Sequence, residues 1–145
     1  MNLVHELLRH KKNNRIWSIG PAESVFAAIA RMAEHEVGAL MVLEQEQLVG
    51  IISERDYARK VILEEKASKL IPVSEIMTQR VISVSSKHHI DECVNLMKDN
   101  HIRHLPVIDR GVIVGMLSLR DLFSATIEEQ ASTIEHLEHY IRGEV

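Results

Sequence analysis

Cysteine is almost absent from this 145-residue chain: Cys93 stands alone, which excludes an internal disulfide and any Cys-rich metal site. Its neighbours in the pattern Ile90, Cys93, Val94, Met97 mark the buried face of a helix, so Cys93 is expected to serve as a small core hydrophobe. Aromatic residues make up only 3% of the chain, leaving Ile, Val, Leu, Ala and Met to fill any core. No stretch reaches the roughly 18–20 continuous apolar residues that span a bilayer. Basic tracts are also missing. With a net charge of −4 and both signs mixed along the chain, a nucleic-acid partner is not expected.

What is present is the composition of a folded globular protein, 46% hydrophobic and 26% charged. The length suits one domain with one core, or two half-domains that need each other. The opening has apolar residues at Leu3, Val4, Leu7 and Leu8, then a basic run from Arg9 to Arg15. It carries Glu6 and lacks serine and a small-residue cleavage site, so a first helix is expected rather than a transit peptide. A soluble, cytoplasmic protein is the corresponding expectation.

The chain repeats itself. Shifted by 65 residues, Trp17–Asp56 falls on Ile82–Asp121 without a gap, and nine of the 40 positions are identical. The identities include Met32/Met97, Leu40/Leu105, Gly50/Gly115, Ser53/Ser118, Arg55/Arg120 and Asp56/Asp121. The openings match at an offset of 69, Val4–Leu8 against Val73–Met77, so the first copy holds four extra residues somewhere within His10–Arg15. This is an internal duplication. It divides the chain into a first repeat at 1–66, a linker at 67–73, a second repeat at 74–126 and a tail at 127–145.

Each copy reads as strand, helix, strand, strand, helix. Ile16–Ile19 and Val81–Val84 are short β-rich runs before turn residues. Apolar spacings of three and four follow in Val25/Ala28/Ile29/Met32 and Ile90/Cys93/Val94/Met97. Two apolar runs then form a hairpin, the second around Asp109-Arg110-Gly111. Ser53 and Ser118 open helices expected to reach about Glu65 and Thr126. The fold class is therefore α+β, with the two copies expected to pack sheet to sheet.

The strings His35-Glu36-Val37-Gly38-Ala39-Leu40-Met41-Val42 and Leu48-Val49-Gly50-Ile51-Ile52-Ser53-Glu54-Arg55-Asp56 resemble a CBS (cystathionine β-synthase) motif. So do His101–Asp109 and Val114–Asp121, and Ser74–Thr78 resembles the short helix that opens such repeats. The likeness runs from about Val4 to about Thr126. It implies two repeats joined about a pseudo-twofold axis, two equivalent clefts, and binding of an adenosine-containing ligand: AMP first, or ADP, ATP, NAD or S-adenosylmethionine.

The residues of Gly-h-h-Ser-x-Arg-Asp (h apolar) suit that ligand. Glycine allows close backbone approach near a strand end. Ser53 and Ser118 sit where a strand hands over to a helix, whose free N–H groups attract an anion. Asp56 and Asp121 are acceptors suited to a ribose diol, and Arg55 and Arg120 can add charge-assisted bonds to phosphate. Ser-x-x-Asp is equally a capping box, and the two roles are compatible. Where the second copy has Arg103 and His104, the first has Gly38 and Ala39. By resemblance Arg103 and His104 are phosphate contacts, which puts the second-repeat site first. The first site would rely on Arg59 and Lys60, which read equally as a solvated helix face. Adenine would stack near Ile19 and Val84.

Nine histidines are present, but none joins a Cys or carboxylate cluster that completes a site, so no metal is expected. The tail has apolar residues at Ile127, Ala131, Ile134, Leu137 and Ile141. This amphipathic helix either packs on its own chain or helps form a homodimer, as the family commonly does. Nothing resembles a catalytic triad or a P-loop, so an enzyme is not expected. The leading reading is a regulatory sensor that signals to a separate effector protein. The alternative is a homodimeric assembly module with vestigial clefts.

Overall fold

A computed structural model describes residues 2–11 and 15–143. Half of the segment expected to hold the four extra residues, 12–14, lies outside the described residues. Within them the chain runs α1 (Val4–His10), β1 (Ser18–Ile19), α2 (Val25–His35), β2 (Ala39–Glu44), β3 (Gln47–Ser53), α3 (Glu54–Tyr57), α4 (Val73–Ile76), α5 (Ile90–Asn100), β4 (His104–Asp109), β5 (Val112–Ser118) and α6 (Leu119–Ile141). The residues fall into two compact units, 16–82 and a second made of 83–143 with α1.

In the unit 16–82, β1 lies parallel to β2, and β2 pairs antiparallel with β3. Its core gathers Ile19, Val25, Ala28, Met32, Leu40, Val42, Ile52 and Val61, with Val73 and Ile76 from α4. Two residues, Gln45 and Glu46, join β2 to β3 with φ of 50° and 64°. That is the primed geometry that matches the strand twist, adopted without glycine. Gly50 is required for a different reason. A Cβ there would lie 2.6 Å from Met77 Sδ and 3.0 Å from the Thr78 carbonyl oxygen. The 77–78 segment can thus close on β3, and Ile51 and Thr78 exchange both backbone hydrogen bonds at 2.8 and 3.0 Å.

The expected helix after Ser53 forms only one α-turn and then widens. The Leu63 and Lys66 amides donate five residues back, to the Ala58 and Val61 carbonyls, making Ala58–Ile62 a π-helical turn. It buries Val61 fully.

In the other unit β4 and β5 form the hairpin, closed by Arg110 (φ 50°) and Gly111 (φ 79°). Val84 bridges in parallel to Val107. Cys93 is fully buried, and burial, with Glu92 nearby, pushes its thiol up to about 11. It is the inert core residue its spacing indicated.

The compact units do not follow the repeat boundaries. α1 opens the first sequence repeat yet packs with the second, while α4 opens the second and packs with the first. Their anchoring corresponds bond for bond. Val4 and His5 donate to the His88 and Ser86 carbonyls, and Ile90 donates back to Asn2. Val73 and Ser74 donate to Glu23 and Pro21, and Val25 donates back to Ile71. Each opening helix buries its apolar face, Val4, Leu7 and Leu8 or Val73 and Ile76.

α6 corrects a second expectation. The helix that opens at Ser118 does not stop near Thr126 but continues unbroken to Ile141, so the tail is the same helix. Every residue from 126 to 143 is exposed, which rules out packing of the tail on its own chain among the described residues.

Candidate functional site

The two Ser-x-x-Asp sequences form complete capping boxes. At α6 the Ser118 amide donates to Asp121 Oδ2 at 2.8 Å, and the Asp121 amide donates to Ser118 Oγ at 3.1 Å. At α3 the Ser53 amide donates to Asp56 Oδ2 at 2.9 Å, and the Asp56 amide donates to Ser53 Oγ at 3.3 Å. Each box satisfies two helix-end amides and is worth about 1 kcal/mol. The capping reading therefore holds at both positions. It leaves a ligand role open, because Asp121 remains 18% exposed and Asp56 13%.

Cations that the motif does not contain complete both carboxylates. Lys11, at the end of α1, sets its Nζ 3.0 Å from Asp121 Oδ2 and donates to the Met116 carbonyl at 2.7 Å. Lys60 sets its Nζ 3.0 Å from Asp56 Oδ1 and donates to the Ile76 carbonyl at 2.9 Å. The arrangements are alike, yet the lysines are not counterparts in the duplication: the position matching Lys60 is Ala125. Lys60, expected to be a phosphate contact or part of a solvated face, is 43% exposed and turned toward the carboxylate. Arg59 is exposed beside it. Lys11 had no signal in the motif, since it lies 105 residues from the carbonyl it reaches.

Arg103 and His104 meet the start of α6. The Leu119 amide donates to the Arg103 carbonyl at 2.8 Å, and His104 pairs with Ser118 across β4 and β5. The first unit matches this with Glu54 donating to Gly38 at 3.1 Å and Ala39 opposite Ser53. At the second-repeat position, then, the structure brings together Lys11, Arg103, His104, Ser118 and Asp121. Arg103 and Arg120 are exposed, and Arg55 is half-buried in the other unit. Ile19 and Val84 do not meet the expectation of an adenine platform. Each is 3% exposed, so their side chains serve the core. Among the described residues, no three His, Cys, Asp or Glu side chains come together as a metal site.

His104 is held neutral. Burial lowers its imidazole to about 4, against an opposing pull from Asp121 and with help from Lys11 and Arg103. A histidine whose folded pKa lies below its unfolded value of about 6.5 binds fewer protons when folded. Its stabilising contribution is complete above about pH 6.5 and is lost as pH falls toward 4. Acidification across that window is expected to cost on the order of 1–3 kcal/mol through this group. His104→Gln should flatten the loss, as read by urea unfolding at pH 7 and pH 4.5. An unchanged pH dependence would show that His104 is not responsible.

A two-unit fold, each unit with a helix capped by Ser-x-x-Asp at the end of a hairpin, is the architecture of a CBS pair. The CBS domain profile matches residues 7–63 and 73–128. The chain belongs to the CBS domain family and carries two tandem copies of the domain. It is 40% identical over 126 residues to the mitochondrial CBS domain-containing protein CBSX3 of Arabidopsis thaliana. That match covers 83% of this chain and 61% of the longer plant protein. A solved CBS-domain protein from Burkholderia ambifaria is 41% identical, with a TM-score of 0.86 over 88% of this chain and 96% of that one. A CBS domain pair solved with 5′-methylthioadenosine and S-adenosyl-L-methionine matches at 23% identity and a TM-score of 0.76, over 88% of this chain and 97% of that one, a likeness of fold. CBS domain pairs are regulatory modules. Among the described residues no helix is long and apolar enough to cross a membrane.

Proposed function

We propose that this chain is a regulatory sensor that binds an adenosine-containing ligand, AMP first, at the position framed by Arg103, His104 and Ser118–Asp121. One observation carries the reading. A partly exposed carboxylate, held in place by its own helix cap, stands beside cations that the cap does not need. Asp121 uses Oδ2 for Ser118 and Lys11, and Oδ1 suits a ribose hydroxyl as acceptor. Lys11, Arg103 and Arg120 supply positive charge for a phosphate. The Leu119 and Asp121 amides are already engaged, so side chains carry more of the anion binding than the helix end does. His104, being neutral, acts as a hydrogen-bond donor rather than a cation. The first-repeat position, with Ser53, Arg55, Asp56 and Arg59, is the weaker site. ADP, ATP, NAD and S-adenosylmethionine are the competing ligands.

Binding regulates only if the ligand favours one conformation over another. The listener is a separate protein, the setting is the cytoplasm, and the chain itself is not an enzyme. A second reading, an assembly module that pairs with another copy of itself, is favoured by the bare apolar side of α6.

The test is a melting curve with each of AMP, ADP, ATP, NAD, NADH and S-adenosylmethionine. At about 100 times its Kd, a ligand adds roughly 2.7 kcal/mol of stability, which is a rise on the order of 5–10 °C for a chain of this length. No rise with any of them at millimolar concentration would overturn the sensor reading and leave the assembly module.

A further inference from the structure

Every described residue from 126 to 143 is exposed, and one side of α6 is strongly apolar. Phe123, Ile127, Ile134, Leu137 and Ile141 are each more than half exposed. With Gln130 they fall at alternating intervals of four and three along the helix. Ile127, Ile134 and Ile141 occupy the a positions of a heptad repeat, and Phe123, Gln130 and Leu137 the d positions. A continuous exposed apolar stripe of this kind marks an interaction surface.

We infer that the stripe pairs with the same stripe of a second copy, as a parallel two-stranded coiled coil. The side chains argue for that occupant and that orientation. β-Branched Ile at a with Leu at d favours two parallel strands. In-register pairing sets Gln130 opposite Gln130 of the second copy, where the two amides satisfy each other. Antiparallel pairing would bury each amide against isoleucine without a partner. In the parallel register the flanking contacts are Thr126 with Ala131 and Thr133 with Glu138, so no like charges meet. The stripe, with Tyr140 at its edge, leaves on the order of 600–700 Å² of apolar surface per chain. Two copies would bury at most roughly 1,200–1,400 Å², at the lower end of the range of about 1,200–2,000 Å² for specific interfaces.

This inference rests on the second-copy reading above and gives it a surface and a direction. It does not depend on nucleotide binding. The test is sedimentation of the full chain at tens of micromolar, with Ile134→Asp and, separately, Leu137→Cys and His139→Cys. The wild type is expected at twice the 16.5 kDa chain mass. Ile134→Asp should be monomeric with unchanged Trp17 fluorescence, because residue 134 belongs to neither core. On mild oxidation Leu137→Cys should cross-link to itself at least tenfold faster than His139→Cys, which sits on the outer side of the helix. Cys93, fully buried, takes no part. A monomeric wild type overturns both this pairing and the second-copy reading. A dimer that survives Ile134→Asp overturns this surface but keeps the second copy. Equal cross-linking at 137 and 139 overturns the parallel register.

Discussion

Replacing Leu40 by alanine is expected to destabilise the protein by about 2–5 kcal/mol, and Leu105→Ala by a similar amount. The two leucines are the same position in the duplication, on β2 and β4, and both are completely buried. Truncation removes three buried carbon atoms and leaves a cavity that the neighbouring strand cannot fill. Leu40 also sits among Ile19, Val25, Met32 and Ile52 in one continuous core, which limits collapse into the space. For a chain of this length the loss corresponds to a drop on the order of 10 °C in melting temperature. Urea unfolding followed by circular dichroism reads both variants. A change below about 1 kcal/mol at either position would mean that its hairpin is not seated on the core described above.

The second large effect is expected at Asp121. Alanine there removes the acceptor for the Ser118 amide and the anion that faces Lys11. The cap alone is worth about 1 kcal/mol. Lys11 is only 23% exposed and would keep the Met116 carbonyl but no counter-charge, so the total loss should approach about 2 kcal/mol. A double-mutant cycle separates the two parts. Asp121→Asn keeps an acceptor for Ser118, and Lys11→Met removes the ammonium. If the pair is coupled, the double variant is less destabilised than the sum of the singles by about 0.5 kcal/mol or more. Strict additivity would mean that the contact contributes nothing, as for many surface ion pairs.

Much of this fold was legible from the chain because the duplication tests each local signal twice. The hairpins, the helices at Val25 and Ile90 and the caps at Ser53 and Ser118 rest on short-range periodicity and capping chemistry. Those forces act within a few residues. What escaped depends on distance. Nothing in Val4–Leu8 says which unit will accept it, because either unit offers the same three backbone partners. Lys11 could not be linked to Asp121 by spacing, and Lys60 read as a surface cation because its carbonyl acceptor, Ile76, comes from a later helix. The burial of Ile19 and Val84 was hidden for the opposite reason: an apolar residue beside a site and one inside a core look the same in sequence. The long α6 was read as two pieces because the duplicated pattern ends near Thr126, although no helix-breaking residue follows it before Gly143.

The proposed nucleotide site is the capped, cation-flanked carboxylate at the head of α6. Calorimetric titration of AMP into the wild type and into Asp121→Asn tests it most directly, because asparagine keeps the cap acceptor while removing the charge. A saturable heat is expected for the wild type and at least tenfold weaker binding for Asp121→Asn, with the variant still folded by circular dichroism. Equal affinity in the two proteins would contradict it.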